Sequence, residues 1–418
     1  MPLSLESLFD RLKNWFPRTG AEIEAKASKL EAKLTQSDGE FQTLSKEKRQ
    51  HLRDRTTASL NLPSYRAAVT SALKTSLKEW ETEDRTSRNS LAILASPIEP
   101  LERIWQDVLE TWEGKADYRV RVLQPSHRPQ DGAEIADRLR EQLAAMEESP
   151  ESEESPDDRP EIVVIPHLEW YFLRVVEGLD GIEWLQQMMV ERPDRFWAVG
   201  CNSWAWQYLD CVCQSSAYCD RTLLLPELKA IEIKNWLASI CDEIEFDDDS
   251  EDDEDDPQDW DDERENWTSK GQLRYFNKLQ KTASGLSRVA VELWLDSLCV
   301  NVNSSDSGEE DAEDDTPETP STLAWRKRID LPDRPALTLD DRHLVYSVLL
   351  HGSIDLPHLA QTLGERELPV RARVRVLERS GALWNRKGQI QVNPAYYLRL
   401  KTDLENNKFL VSDDNTDD

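Results

Sequence analysis

Between residues 90 and 240, short apolar runs alternate with stretches whose apolar positions recur at helical spacing. Residues 91–95 predict a buried strand, 101–112 a helix, 118–123 a strand of alternating Val and Arg, and 133–146 a helix. Residues 162–165 are wholly apolar, as in the middle of a parallel sheet. A helix at about 181–190, a strand at 196–199, a strand at 221–225 and a helix at 231–237 continue the alternation. Strands alternating with helices predict an α/β layer structure around a mainly parallel sheet.

The flanks read differently. Residues 1–85 carry helical periodicity throughout, from Leu3, Leu5, Leu8, Phe9 and Leu12 to the stretch 65–80, and predict an N-terminal helical bundle. Residues 266–302 predict a helical module. Residues 338–351, 356–363 and 368–380 predict three helices, and 382–392 a hairpin turning at Arg386, Lys387 and Gly388. Three helices and then a two-stranded wing is the order of a winged helix, placed at 321–410. The α/β core is assigned to 86–244, and no repeat of 20–50 residues is apparent.

Charge changes how the linkers read, not how the core reads. The formal net charge is −31. Of that excess, 28 acidic residues fall in three runs free of Lys and Arg, at 147–158, 245–263 and 306–315. The remainder is near neutral, so the acidity belongs to solvated insertions (245–265), linkers (147–160, 303–320) and an acidic tail (411–418). Fifteen Trp exclude wholesale disorder. Six Cys fit a reducing cytoplasm better than a secreted scaffold. No apolar run approaches the roughly 20 residues of a membrane helix, so no direct membrane insertion is expected.

The loop after the first strand stands where a phosphate-binding loop would. Such a loop needs glycines for close backbone approach, free N–H groups and a Lys. Residues 96–103 contain neither Gly nor Lys. Pro97 and Pro100 remove two donors, while Glu99 and Glu102 put negative charge where phosphate would lie.

Three passages resemble the AAA-type branch of P-loop ATPases with a C-terminal winged helix, the architecture of archaeal initiator and related signalling ATPases. Residues 161–170 look like the strand that bears that family's magnesium-binding Asp and catalytic Glu. Residues 196–202 look like the strand whose polar tip senses the terminal phosphate. Residues 223–237 and 279–298 look like the entry and end of its helical lid. The Trp-rich strand end and the lid-plus-winged-helix order resemble, more specifically, bacterial ATPases often encoded near mechanosensitive channels.

The resemblance implies roles that this chain fills badly. Pro166 and His167 stand where the acidic pair belongs, leaving Glu169 as a substitute base, Asn202 at the sensor position and Arg288 as the lid arginine. The plainer reading makes Glu169 a helix-start residue, Asn202 a strand-end turn former and Arg288 a lid-surface residue. Phosphoryl transfer is nearly all positioning and charge stabilisation, and the parts for both are missing. Trp197, Trp204 and Trp206 read as core or interface anchors rather than a base-stacking platform. Cys201, Cys211, Cys213 and Cys219 read as buried thiols, because their spacing matches no common zinc pattern.

A degenerate AAA-like pseudo-ATPase is therefore expected: an α/β core, a helical lid and a winged helix, with no catalytic residues, metal or cofactor. Its expected work is scaffolding or regulation through a protein partner, with a membrane protein among the candidates. The alternative is a DNA-associated regulator using Arg371, Arg373, Arg375, Arg379, Arg386 and Lys387. A third is a divergent NTPase with an atypical loop.

Overall fold

The computed structural model describes residues 41–60, 62–123, 128–129, 131–147, 159–241, 244–245, 264–301, 323–325 and 329–410. The expected helices before residue 41, the acidic tail and nearly all of the three acidic runs lie outside the described residues. Strands are numbered in chain order: β1 (Phe41–Thr43), β2 (Ser90–Ala95), β3 (Arg119–Val122), β4 (Glu161–Ile165), β5 (Arg195–Asn202) and β6 (Arg221–Leu224). There follow β7 (Ile244–Glu245), β8 (Leu298–Asn301), β9 (Leu323–Trp325), β10 (Ile354–Asp355), β11 (Leu383–Arg386) and β12 (Gln389–Val392).

The α/β class is as the hydrophobic pattern predicts. Five parallel strands pair in the order β3-β4-β5-β2-β6. From β2 the chain runs to the far edge at β3, returns through β4 and β5 to lie beside β2, and crosses to β6 on its other side. Every residue of β4 and β5 is buried, which explains why those strands read as continuous apolar runs rather than alternation. At the N-terminal end of the sheet, the buried Glu161 carboxylate takes Arg119 (3.1 Å), Arg121 (2.7 Å) and Arg195 (2.5 Å). The arginines of the alternating strand are thus counter-ions to one carboxylate.

The helix Pro63–Thr82 packs across β2, β5 and β6 and on the helix Leu101–Thr111. Its inward row is Tyr65, Val69, Leu73, Leu77 and Trp80. Each such side chain contributes about 2 kcal/mol on burial. The helix Lys46–Ala58 packs on the helix Ser287–Ser297. Both helices thus contact the body of the protein; the rest of the expected N-terminal bundle lies outside the described residues.

The helical module after residue 266 comprises Lys270–Ala283 and Ser287–Ser297. Residues expected to extend it to 300 instead form β8, which pairs with β1 and β9. The C-terminal module has helices Leu339–His351, Leu356–Leu363 and Glu367–Arg379, then an antiparallel hairpin of β11 and β12. Its two-residue turn places Lys387 at φ 53° and Gly388 at φ 86°, the left-handed pair that a tight hairpin requires. Two elements escaped the sequence pattern: β10, which pairs with β12, and the closing helix Pro394–Asn406.

This module is joined to the sheet by buried polar contacts. Trp204 Nε1 donates to Tyr397 Oη (3.1 Å), and the Arg174 N–H donates to His351 Nε2 (3.3 Å). Arg128 donates to the carbonyls of Glu169 (2.7 Å) and Ser353 (2.9 Å). A buried guanidinium whose terminal nitrogens are held by carbonyls from two modules ties them, because withdrawing either would strand a charge.

Candidate functional site

Open α/β sheets place ligands beyond the carboxyl ends of their strands. Here that position is a cavity of about 380 Å3, closed by the loop after β2, the ends of β4 and β5, the helices Lys46–Ala58 and Ser287–Ser297, and the C-terminal module. Pro97, Glu99, Pro100, His167, Glu169, Asn202, Arg288 and Arg386 all line it. Pro166 is just behind: a Cβ on Gly200 would collide with its carbonyl and lie 2.7 Å from Trp105 Nε1.

In the loop, the backbone is turned on itself. The Glu99 N–H donates to the Ser96 carbonyl (2.9 Å) and the Leu101 N–H to that of Glu99 (2.9 Å). The N–H groups of Arg103 and Ile104 both donate to Pro100 (2.9 and 3.1 Å). With Pro97 and Pro100 lacking donors, little of the loop backbone remains to cradle an anion. The Glu99 side chain turns inward and is buried; its Oε1 accepts the Ser287 N–H (2.7 Å) and its Oε2 the Ser287 hydroxyl. Burial pushes its pKa up, against the pull of Ser287 and Arg288.

At the end of β4, His167 lies between two carboxylates. Its Nδ1 is 2.9 Å from Glu169 Oε1, and its Nε2 is 3.8 Å from Glu102 Oε2. Burial lowers its pKa, but the two carboxylates, Glu169 by a hydrogen bond and Glu102 by its nearby charge, outweigh this and raise it to about 9. His167 is thus a cation at neutral pH, and it holds Glu102 below the usual carboxylate range. A positive imidazolium sits where the resemblance implies the magnesium-binding acids.

Asn202 is spent on structure. Its Oδ1 accepts the Ala205 N–H (2.7 Å), capping the helix Ser203–Cys213, and its Nδ2 donates to the Leu350 carbonyl (3.1 Å) in the C-terminal module. The Asn202 N–H in turn faces Glu169 Oε2 at 3.4 Å. Arg288, a surface residue in the plainer sequence reading, is half-buried and donates to Thr57 Oγ1 (2.8 Å). Burial lowers its pKa, opposed by Glu99 and Glu292.

The second group of expected contact residues divides. Arg386 faces the cavity: its guanidinium stacks on Trp384 at 4.1 Å from the ring centroid, and that ring also receives Arg53 at 5.1 Å. Arg386 and Lys387 at the turn are both exposed. On the helix Glu367–Arg379, Arg371, Arg375 and Arg379 are exposed, and Arg373 is held by Glu365 and the Asp340 carbonyl.

Sequence reasoning missed Arg53, Glu292 and Trp384. Arg53 makes a two-pronged ion pair with Glu292, 2.6 Å at each prong, across 239 residues of sequence. No local pattern announces a pair so far apart; only the placement of Glu292 on the buried side of its helix hints that it needs a cation.

Trp197 and Trp204 are core residues and Trp206 packs against them. The thiols correct the expectation of four buried cysteines: Cys201 is buried, Cys213 and Cys219 are half-buried, and Cys211 is exposed. Among the described residues, no group of three or more His, Cys, Asp or Glu is placed to hold a metal, and no helix is long and apolar enough to cross a membrane.

No model of a known protein family matches the chain, and no curated protein matches it. Among solved structures, it is similar to a point variant of RuvB from Thermotoga maritima: 15% identity, TM-score 0.31, covering 78% of this chain and 92% of that one. It is also similar to Cdc6p from Pyrobaculum aerophilum: 14% identity, TM-score 0.35, covering 84% and 96%. A third is the ORC1 protein of Aeropyrum pernix in complex with DNA: 10% identity, TM-score 0.33, covering 82% and 92%. Likeness at this level carries no argument about chemistry, and the sheet order and site geometry stand on their own.

Proposed function

We propose that the chain is a non-catalytic, AAA-like scaffold or regulatory protein with a degenerate nucleotide site and a C-terminal winged helix, acting by docking a protein partner. One observation carries this reading. The side chains at the would-be catalytic positions are committed to ties within the chain: Glu99 to Ser287, Glu169 to His167, Asn202 to Ala205 and Leu350, and Arg288 to Thr57. Electrostatic catalysis needs preorganised groups aimed at developing charge, and these are aimed at one another.

The docking surface proposed is the helix Glu367–Arg379, where Leu368 (76% exposed) and Val376 (62% exposed) share the surface with Arg371, Arg375 and Arg379. Apolar anchors beside guanidinium groups are the composition of protein interfaces. The same arginines support the second reading, a DNA-associated regulator, and Arg386, although stacked on Trp384, is exposed beside Lys387.

Full-length chain used as bait in its native cell distinguishes the two. Protein docking predicts a partner retained by wild type and lost on Leu368→Glu with Val376→Glu. If no protein depends on that patch, and duplex DNA is instead held with a steep salt dependence that vanishes when Arg371, Arg375 and Arg379 become Ala, the DNA reading replaces it.

A further inference from the structure

The helix Ser287–Ser297 begins without a cap of its own. Its N-cap residue is Leu286, which has no side-chain acceptor, and the acceptor is Glu99, 188 residues away. Helix N-termini collect anions because their first N–H groups are unpaired and the dipole is positive there. Glu99 brings one carboxylate to that point, bound by the Ser287 N–H and hydroxyl, beside Arg288.

A second observation points into the same place. The Ser96 hydroxyl is buried, with the residue 6% exposed, and has no hydrogen-bond partner among the described residues. Ser96 and Glu99 both line the large cavity and also a second one of about 160 Å3, which reaches Lys401. The Glu99 side chain therefore stands in the wall between two cavities. Shortening it opens a space furnished with a helix N-terminus, two serine hydroxyls and a guanidinium, with Glu227 on the smaller cavity's wall and Glu102, Glu169 and Glu292 on the larger one's, the last two engaged with His167 and Arg53.

We propose that Glu99 is a built-in ligand: an anion supplied by the chain itself, filling a pocket that accepts a small oxyanion of the phosphate class once the side chain is removed. The carboxylate joins the loop after β2 to the helix Ser287–Ser297, as a bound phosphate would, and keeps them joined without any ligand. This deepens the reading of a nucleotide site closed by its own residues, yet its test involves neither nucleotide nor partner, so either can fail without the other.

The test is the melting of full-length wild type and Glu99→Ala in sodium phosphate and in sodium chloride at matched ionic strength. The variant should melt several degrees below wild type in chloride. Phosphate should then recover much of that loss with a saturable concentration dependence, since a ligand that binds only the folded state stabilises it by mass action. Wild type should be unmoved. A variant that gains nothing from phosphate overturns the proposal, and so does equal stabilisation of both proteins, which places the anion elsewhere. Should Glu99→Ala fail to fold, Glu99→Gln decides: a lower midpoint without a phosphate response supports a required charge in a filled pocket, and a midpoint equal to wild type contradicts it.

Discussion

Two sets of arginines separate the inside of this molecule from its outside. Arg53, Arg288 and Arg386 come from three distant parts of the chain and converge on one cavity, where each is engaged: with Glu292, with Thr57 and with the face of Trp384. Arg375 and Arg379 share one exposed helix and have no hydrogen-bond or ion-pair partner among the described residues. In the first set Arg53 and Arg288 hold separate elements together, to Glu292 and to Thr57; the second set is free to meet another molecule. A guanidinium's role follows from what already surrounds it, and Arg386, which lines the cavity and is also exposed, belongs partly to each set.

The largest effect expected from that contrast is at Arg53. The side chains of Arg53 and Glu292 are 12% and 7% exposed, so Arg53→Ala leaves a carboxylate buried and unpaired, at a cost of about 3–5 kcal/mol. Urea denaturation of Arg53→Ala, Glu292→Ala and the double variant measures this. Coupling near zero in that cycle would place Arg53 with the outward set.

The His167 cluster should give the next effect, through pH. Its folded pKa is raised from 6.5 to about 9. The imidazolium's contribution is therefore fully present below the unfolded value and is lost as pH rises through about 9. By linkage that is roughly 2–3 kcal/mol in wild type. His167→Gln should abolish this component of the stability–pH curve between neutral and alkaline pH. A variant curve of unchanged slope would mean that His167 is neutral in the fold.

The smallest effect is on the outward set. Arg375→Ala and Arg379→Ala should change stability by no more than about 0.5 kcal/mol, and any change should appear in partner binding alone. A loss of stability like that of Arg53→Ala would show that the helix is covered.

The strands of the sheet were legible because burial on both faces writes itself as continuous apolar sequence, as at residues 162–165. The hairpin turn was legible because Gly388 marks a left-handed position. The position of the loop at the end of β2 was legible, because a strand and then a helix bracket it in the hydrophobic pattern. What Glu99 does instead was not legible, since its partner Ser287 is 188 residues away. Nor was the stacking of Arg386 on Trp384, because an arginine beside a hairpin turn looks alike whether it meets solvent alone or also the face of a tryptophan. The short strands β1, β8 and β10 have too few residues to establish a period.

The central claim is that the cavity beyond β2, β4 and β5 is closed to nucleotide by the chain's own contacts. Titration calorimetry of the full-length protein with ATP and with GTP, in the presence of magnesium, tests it most directly. Heat indistinguishable from dilution is the result expected on this proposal, since Pro97 and Pro100 lack backbone donors and His167 and Glu99 are engaged with Glu169 and Ser287. Saturable binding of either nucleotide at micromolar concentration would contradict it.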